Sequence, residues 1–419
     1  MIKAKKHIKE LYNSQDLENF ENLFKLAEKD IRAWQPSFDR KEKSIDVIDF
    51  FSGCGGMSLG FDAIGNSKIF NLIGAIDINS KALESYEKNF GAKTLNKNIR
   101  ELCNDEGIKL VRKEFQLPVK KTKPLIIIGC APCQGFTAHR KKNWDKEDER
   151  NTLIGVFTET AVKLEPDFVV MENVPEILGD KYWNHYEEAR NVFEENGYIV
   201  KQTIYNSATF GVPQARRRAI IIASKINFQL PIPLLHEKEF KTVRDAISDL
   251  PQIKPGKICN TDKYHKSAKH KTSTIETIQK VPKDGGSRPN GIGPNCLDKV
   301  NGFSDVYGRL FWDKPSITLT QYSRNPASGR FTHPEQDRGL TIREAARLQS
   351  FPDTFEFQGS LDHCFKQIGE SVPPLLSIAV ATQIVRAIIN STDHEIVKSI
   401  DIPVKSSFYS QPVLKEVTL

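Results

Sequence analysis

Residues 44–56 read Ser-Ile-Asp-Val-Ile-Asp-Phe-Phe-Ser-Gly-Cys-Gly-Gly, an apolar run of strand length that empties into a glycine-rich turn. Helical spacing over Met57–Ile64 follows, then a second strand signal over Ile69–Ile76 that ends at Asp77, then a helix over Ser80–Asn89. Strand signals recur at Leu125–Gly129, Phe168–Met171, Ile199–Asn206 and Ala219–Ala223, with helical stretches between the first three. That alternation predicts an α/β protein built on a doubly wound, mostly parallel sheet with helices on both faces. Open sheets of this kind take ligands at the carboxyl ends of their strands, so each strand end is a candidate site.

In the first turn, Gly53, Gly55 and Gly56 let backbone approach a ligand closely and tolerate positive φ. Asp77 lies about 20 residues on, a spacing that suits a carboxylate accepting hydrogen bonds from ribose hydroxyls. A tight strand-to-helix turn uses glycine for purely structural reasons too; Asp77 in register favours an adenosine-containing cofactor. The turn is neither Gly-x-Gly-x-x-Gly nor a phosphate loop ending in Gly-Lys-Ser/Thr, which disfavours NAD and ATP. S-adenosyl-L-methionine fits best.

The apolar run Pro124–Ile128 leads into Gly129-Cys-Ala-Pro-Cys-Gln-Gly-Phe136. Pro132 fixes its own φ and biases the residue before it to an extended form, so the turn that presents Cys133 is stiff. The next strand signal ends at Glu172. Two strand ends thus bring a thiol and a carboxylate to one edge of the sheet. A thiol attacks as its thiolate, and a carboxyl that shares a proton assists attack on an electron-poor ring. Gln214-Ala-Arg-Arg-Arg218 precedes the last strand signal; alternate residues of an extended chain share a face, which would put Arg216 and Arg218 together. Guanidiniums there suit phosphate or a carbonyl oxygen, and a solvated basic turn is the competing reading.

The 419 residues are long for one compact unit and predict two or more domains. Nothing approaches the ~18 consecutive apolar residues of a membrane span, and the amino terminus shows no secretory signal. Seven scattered cysteines form no disulfide ladder, and Cys130-Ala-Pro-Cys133 lacks the second pair of a zinc site, so a reducing, cytoplasmic setting is expected. Net charge is +7, and Lys254–Arg288 alone holds nine Lys and Arg against Asp262, Glu276 and Asp284. A local excess of this size is the footprint of a polyanion partner, or else a solvated face.

The expected organisation is a helical extension at 1–44, a catalytic and cofactor-binding domain at 45–224, a loop-rich region at 225–340 broken by repeated Pro and Gly, a return to the first domain at 341–392, and a tail at 393–419. Leu17, Phe20, Leu23, Phe24, Leu26 and Ala27 have helical spacing, which predicts one or two amphipathic helices ahead of the core. Thr341 and Glu344 have capping-box spacing, and an apolar helix is expected from Pro373-Pro374 onward.

Six blocks in fixed order resemble the DNA (cytosine-5) methyltransferase family over residues 45–385: Asp49–Gly56, Pro132-Cys133-Gln134, Glu172-Asn173-Val174, Gln214-x-Arg216-x-Arg218, Arg343–Pro352 and Ile368–Pro374. The resemblance implies that Cys133 attacks carbon 6 of cytosine, Glu172 holds or protonates ring nitrogen 3, Arg218 contacts the cytosine carbonyl and Arg216 lies nearer the phosphates. Phe51, Gly53, Cys54, Gly56, Asp77, Ile78, Asn98, Ile99, Leu153, Glu370 and Ser371 match cofactor-pocket positions. It further implies flipping of the target base out of double-stranded DNA, a mobile loop at Gln134–Arg150, target recognition by 225 to about 308, and action as a monomer on DNA. The lack of large regulatory domains points to the bacterial type, paired with a restriction endonuclease. Two positions depart from the family pattern: Glu370 stands where Asn is usual, and Asn98 where an Asp commonly meets the adenine amino group. A tRNA-modifying relative shares the Cys133/Glu172 pair, but such members carry a Cys-Phe-Thr triplet that this chain lacks. A catalytically silent DNA-binding subunit is the reading from another class, and the intact Cys133, Glu172 and Arg218 count against it.

Overall fold

The computed structural model describes residues 1–36, 38, 43–118, 121–132, 152–294, 297–298 and 305–391. Three helices, α1 (Ile2–Leu11), α2 (Ser14–Glu18) and α3 (Phe20–Arg32), precede β1 (Ile45–Phe50) and α4 (Gly56–Ser67). Then come β2 (Phe70–Asp77), α5 (Ser80–Phe90), β3 (Lys93–Asn96), α6 (Asp105–Glu114), β4 (Leu125–Gly129), α7 (Leu153–Lys163), β5 (Phe168–Asn173), α8 (Trp183–Glu195), β6 (Ile199–Asn206) and β7 (Arg217–Ser224). The strands form one sheet in the order β3-β2-β1-β4-β5-β7-β6. All neighbours are parallel except β7, which runs antiparallel to both β5 and β6. The expected doubly wound sheet is therefore present, with one reversed strand.

Both faces are covered, as a mostly parallel sheet requires. Along β4, Ile126 and Ile128 face one apolar cluster with Val47, Val170, Ile220 and residues of α4 and the last helix. Leu125 and Ile127 face the other, with Ile48, Val169, Ile221 and residues of α6 to α8. The edge strand β3 has no counterpart among the sequence signals, because Lys93–Asn96 has no fully buried position and so no apolar alternation to read.

The extension forms three helices where one or two were expected. It is anchored by Asp62 on α4, which accepts from Trp34 Nε1 at 2.9 Å and from Lys43 Nζ at 3.0 Å, all three residues buried. Asp30 also accepts from the Gly65 N–H, at the break in α4.

Past Ser224 regular structure thins to α9 (Val243–Ile247), α10 (Thr272–Gln279) and isolated bridges. Buried arginines supply the missing donors to carbonyls that no strand ladder serves. Arg309 donates to the carbonyls of Ile278, Val281, His333 and Gln336. Arg330 donates to those of Gly285, Gly286 and Arg309. Arg338 reaches the Ile253 carbonyl and both oxygens of Glu344. Glu344 also closes the capping box with Thr341 at the start of α11 (Ile342–Leu348). Helices α12 (Leu361–Glu370) and α13 (Pro374–Asn390) complete the fold, α13 being almost wholly buried against α3 and α4. Among the described residues no single helix is long and apolar enough to cross a membrane.

This wiring carries a pH signature. Burial raises the Glu344 carboxyl, but the Arg338 guanidinium outweighs it and, with His333 and the Thr341 N–H, holds the group at about 2 against an ordinary 4.5. Burial, with Arg338 and Arg309 nearby, pushes His333 from 6.5 down to about 4. Both folded values lie below the unfolded ones, so both groups stabilise at neutral pH and lose that contribution as pH falls. Unfolding free energy measured in urea should decline from about pH 6.5 toward 4 as His333 protonates in the unfolded chain, and further below 4.5 through Glu344. His333→Gln should flatten the upper limb and leave the lower one; an unaltered upper limb would assign that decline to other groups.

Candidate active site

The carboxyl ends of β1, β2, β4 and β5 converge on one edge of the sheet. The chain leaves β1 through Phe51, at φ 55°, and Gly53, at φ 53°. Space above Gly53 is open, since a Cβ there would meet no atom of the described residues within 4 Å. Its N–H donates to Asp77 Oδ2 at 2.8 Å, and Asn79 N–H donates to Oδ1 at 2.7 Å. Burial raises the Asp77 carboxyl, and these backbone donors oppose it. Each oxygen keeps a further lone pair for another donor. Behind the turn Cys54 is fully buried beside Ser371 Oγ, 3.2 Å away, and burial pushes its thiol up to about 12. Such a thiol is inert, so Cys54 serves as wall.

Gly56 opens α4, and Phe51 lies with its ring 6.1 Å from Phe157. Ile99 and Leu153 are buried in the same apolar cluster, whereas Ile78 is 72% exposed beside Asp77. Asn98 spends its side-chain oxygen capping the short helix Ile99–Glu101. Glu370 ends α12 half-exposed and paired with Lys366 at 2.6 Å. Ser371 Oγ donates to the Gln367 carbonyl.

At the neighbouring strand ends, Glu172 is buried and pairs with Arg218 Nε at 2.8 Å. Asn173 Nδ2 reaches the Ala131 carbonyl at 3.3 Å, tying the end of β5 to the turn after β4. Cys133 lies outside the described residues, as does the stretch Gln134–Arg150 expected to close over a base. Cys130 is half-buried, with its sulfur 3.6 Å from Met57 Sδ.

Arg216 corrects the expectation of a phosphate contact. Only 2% of it is exposed, and its guanidinium donates to the carbonyls of Leu319, Gly369 and Ser371 at 2.9–3.2 Å. Burial alternates through this stretch, with Gln214 and Arg216 inward and Ala215 and Arg217 outward, but the inward face at Arg216 is lined by the chain's own carbonyls.

Two further contributors sit inside the motifs without announcing their roles. Gln214 bonds the Leu319 N–H, the Leu348 carbonyl and Gln349. Asp49 is fully buried under the glycine turn, with Ser58 Oγ at 2.6 Å on one oxygen and no hydrogen-bond partner among the described residues on the other. Burial pushes its carboxyl up to about 8, Ser58 opposing and Asp77 adding to the rise. No pattern of spacing separates a carboxylate that faces its own helix from one that faces a ligand.

The model of the C-5 cytosine-specific DNA methylase family matches residues 45–386. The chain belongs to that family. It is 35% identical over 348 residues to the type II methyltransferase M1.HphI of Haemophilus parahaemolyticus, covering 82% of this chain and 87% of the relative. It is 33% identical to the type II methyltransferase M1.BsuMI of Bacillus subtilis, covering 88% and 87%. Among solved structures, a proposed DNA modification methyltransferase encoded within an E. coli prophage aligns with TM-score 0.65 at 24% identity, over 82% of this chain and 99% of that one. The protein is thus a DNA cytosine-5 methyltransferase with relatives in restriction–modification systems, and the family assignment read from the six motifs stands.

In this methyltransferase Arg216 should matter for stability first. Replacing it with Met leaves three buried carbonyls short of a charged donor, a loss on the order of 3 kcal/mol in urea unfolding. A variant of full stability that bound DNA more weakly would return Arg216 to the DNA surface.

Proposed function

We propose that this methyltransferase transfers a methyl group from S-adenosyl-L-methionine to carbon 5 of a flipped cytosine in a specific duplex sequence, through a covalent bond to Cys133. The Glu172–Arg218 pair at the end of β5 is the observation that carries the reading. It holds a carboxyl and a guanidinium side by side, one for ring nitrogen 3 and one for the ring carbonyl. The Cys133 thiolate would attack carbon 6 while Glu172 shares its proton with nitrogen 3, so that electron density reaches carbon 5. After methyl transfer, loss of the carbon 5 proton would let the carbon 6–sulfur bond break and return the thiolate. The tether from Asn173 to the Ala131 carbonyl, which holds the end of β5 to the turn after β4, supports the reading.

The residues present fit the cofactor: open space above Gly53, lone pairs left on Asp77, and a partly exposed carboxylate at Glu370 for its ammonium. Bound there, it would supply an electrophilic methyl group. Glu370 would trade its Lys366 partner for that ammonium, so the departure from Asn conserves a charge pairing. The division into a catalytic core and a target-recognition region at 225–340, the pairing with a restriction endonuclease, the monomeric state on DNA and the cytoplasmic setting belong to the same reading.

The decisive test uses duplex DNA of the methylated sequence carrying 5-fluorocytosine, whose fluorine blocks the final elimination. The protein should form an adduct stable to denaturing electrophoresis, and Cys133→Ser should abolish it while Cys130→Ala retains it. An adduct with Cys133→Ser would move the nucleophile elsewhere.

The basic segment sharpens a second test. Lys263, Lys283 and Arg288 are paired with Glu356, Asp337 and Asp298. Lys257, Lys266, Lys269 and Lys271 are exposed and have no ion-pair partner among the described residues. Changing those four to Gln should reduce the slope of log affinity against log salt by about 0.9 for each phosphate no longer neutralised, on any duplex. An unchanged slope would make this charge a solvated face.

A further inference from the structure

We propose that Tyr322 is a stacking platform for a nucleobase of the bound duplex, positioning DNA beside the Glu172–Arg218 site. Tyr322 is 62% exposed, and among the described residues its ring stacks on no other ring and its hydroxyl meets no partner. A lone exposed tyrosine is ordinary on a protein surface. The backbone beneath this one is not ordinary. Thr318 Oγ1 donates to the Ala215 carbonyl, the Leu319 N–H to Gln214, and Arg216 to the Leu319 carbonyl. Gly369 lets the α12 backbone press against Thr320, where a Cβ would fall 2.3 Å from the carbonyl carbon. Beyond the ring, the Tyr322 carbonyl accepts from Asn325 N–H and Ser328 Oγ, and Arg324 is paired with Asp362. The segment therefore runs beside residues 214–216, two positions before Arg218, and carries its aromatic ring on a loop fixed from both sides.

An aromatic ring mounted on a fixed backbone is a preorganised contact that costs little entropy to use. The occupant that matches it is a nucleobase, for three reasons. The protein acts on a base, every base offers a flat π face, and the ring follows by three residues the Leu319 carbonyl that Arg216 holds. If the target cytosine leaves its stack, as the proposed mechanism requires, a neighbouring base is left with an open face that Tyr322 can cover. Tyr322 is then a positioning residue, acting on the DNA and not on the reacting atoms.

The test uses the full chain and its DNA substrate with 5-iodouracil in place of thymine. Long-wavelength irradiation should cross-link the DNA to the peptide containing Tyr322. Tyr322→Ala should lower single-turnover methyl transfer about tenfold, the scale of removing one base–aromatic stack. Tyr322→Phe should retain the unsubstituted rate, because the ring and not the hydroxyl does the stacking. Melting temperature and salt slope should match the parent in both variants, since no buried group and no phosphate partner is removed. Cross-links confined to other peptides, a Tyr322→Ala rate equal to the parent, or a Phe variant as impaired as Ala would each overturn the proposal. Methyl transfer by the unsubstituted protein in the same assay separates failure of the platform from failure of the chemistry.

Discussion

The Arg216 guanidinium is the joint on which the active edge depends. It gathers the carbonyls of Leu319, Gly369 and Ser371, which come from two segments about 50 residues apart that share no strand ladder. A planar group with donors in a fixed fork can bind three carbonyls at once, whereas an ammonium cannot hold them in one plane. Burying that charge is expensive unless every donor direction is used. The cost therefore enforces geometry: the segment entering β7, the loop after residue 316 and the end of α12 are held in one arrangement. Arg218, two residues on, inherits its position from that arrangement, and through it the Glu172 pair.

The same device recurs through the loop-rich region. Repeated prolines and glycines there exclude long helices and ladders, yet the carbonyls must be satisfied. Arg309, Arg330 and Arg338 satisfy them from within. Backbone wired by side chains is free to take irregular paths that a regular ladder would exclude. It also makes the region acid-sensitive, because Arg338 is balanced by the buried carboxylate of Glu344.

How much of this is legible in the sequence follows from which signals are periodic. Strands β1, β4, β5 and β7 carry runs of apolar residues, and their positions are readable within a residue or two. The capping box at Thr341 is readable because its two side chains bond each other's backbone at fixed spacing. Strand β3 is not, being polar and at an edge. Arg216 reads as a DNA contact because arginine is usually exposed, and only the partner carbonyls, distant in sequence, reveal that it is internal. The pairing of Glu370 with Lys366 one turn earlier is readable in principle, since the two are four residues apart on a helix.

Charge is segregated in a way that the net value conceals. Asp49, Asp77, Glu172 and Glu370 cluster at the carboxyl edge of the sheet, while exposed lysines collect between 254 and 288. Among the acids at the edge, Asp77 and Asp49 are desolvated, and both carboxyls sit above their ordinary range. Of the two, Asp77 borders the open turn at Gly53, and a positive ligand there would offset the desolvation of its carboxylate. The lysine-bearing surface has the opposite preference. On the proposed reading the two ligands, a cationic methyl donor and a polyanionic duplex, are drawn to different parts of one molecule by fields of opposite sign. On that reading a base from one ligand must meet a methyl group from the other at the paired Glu172 and Arg218.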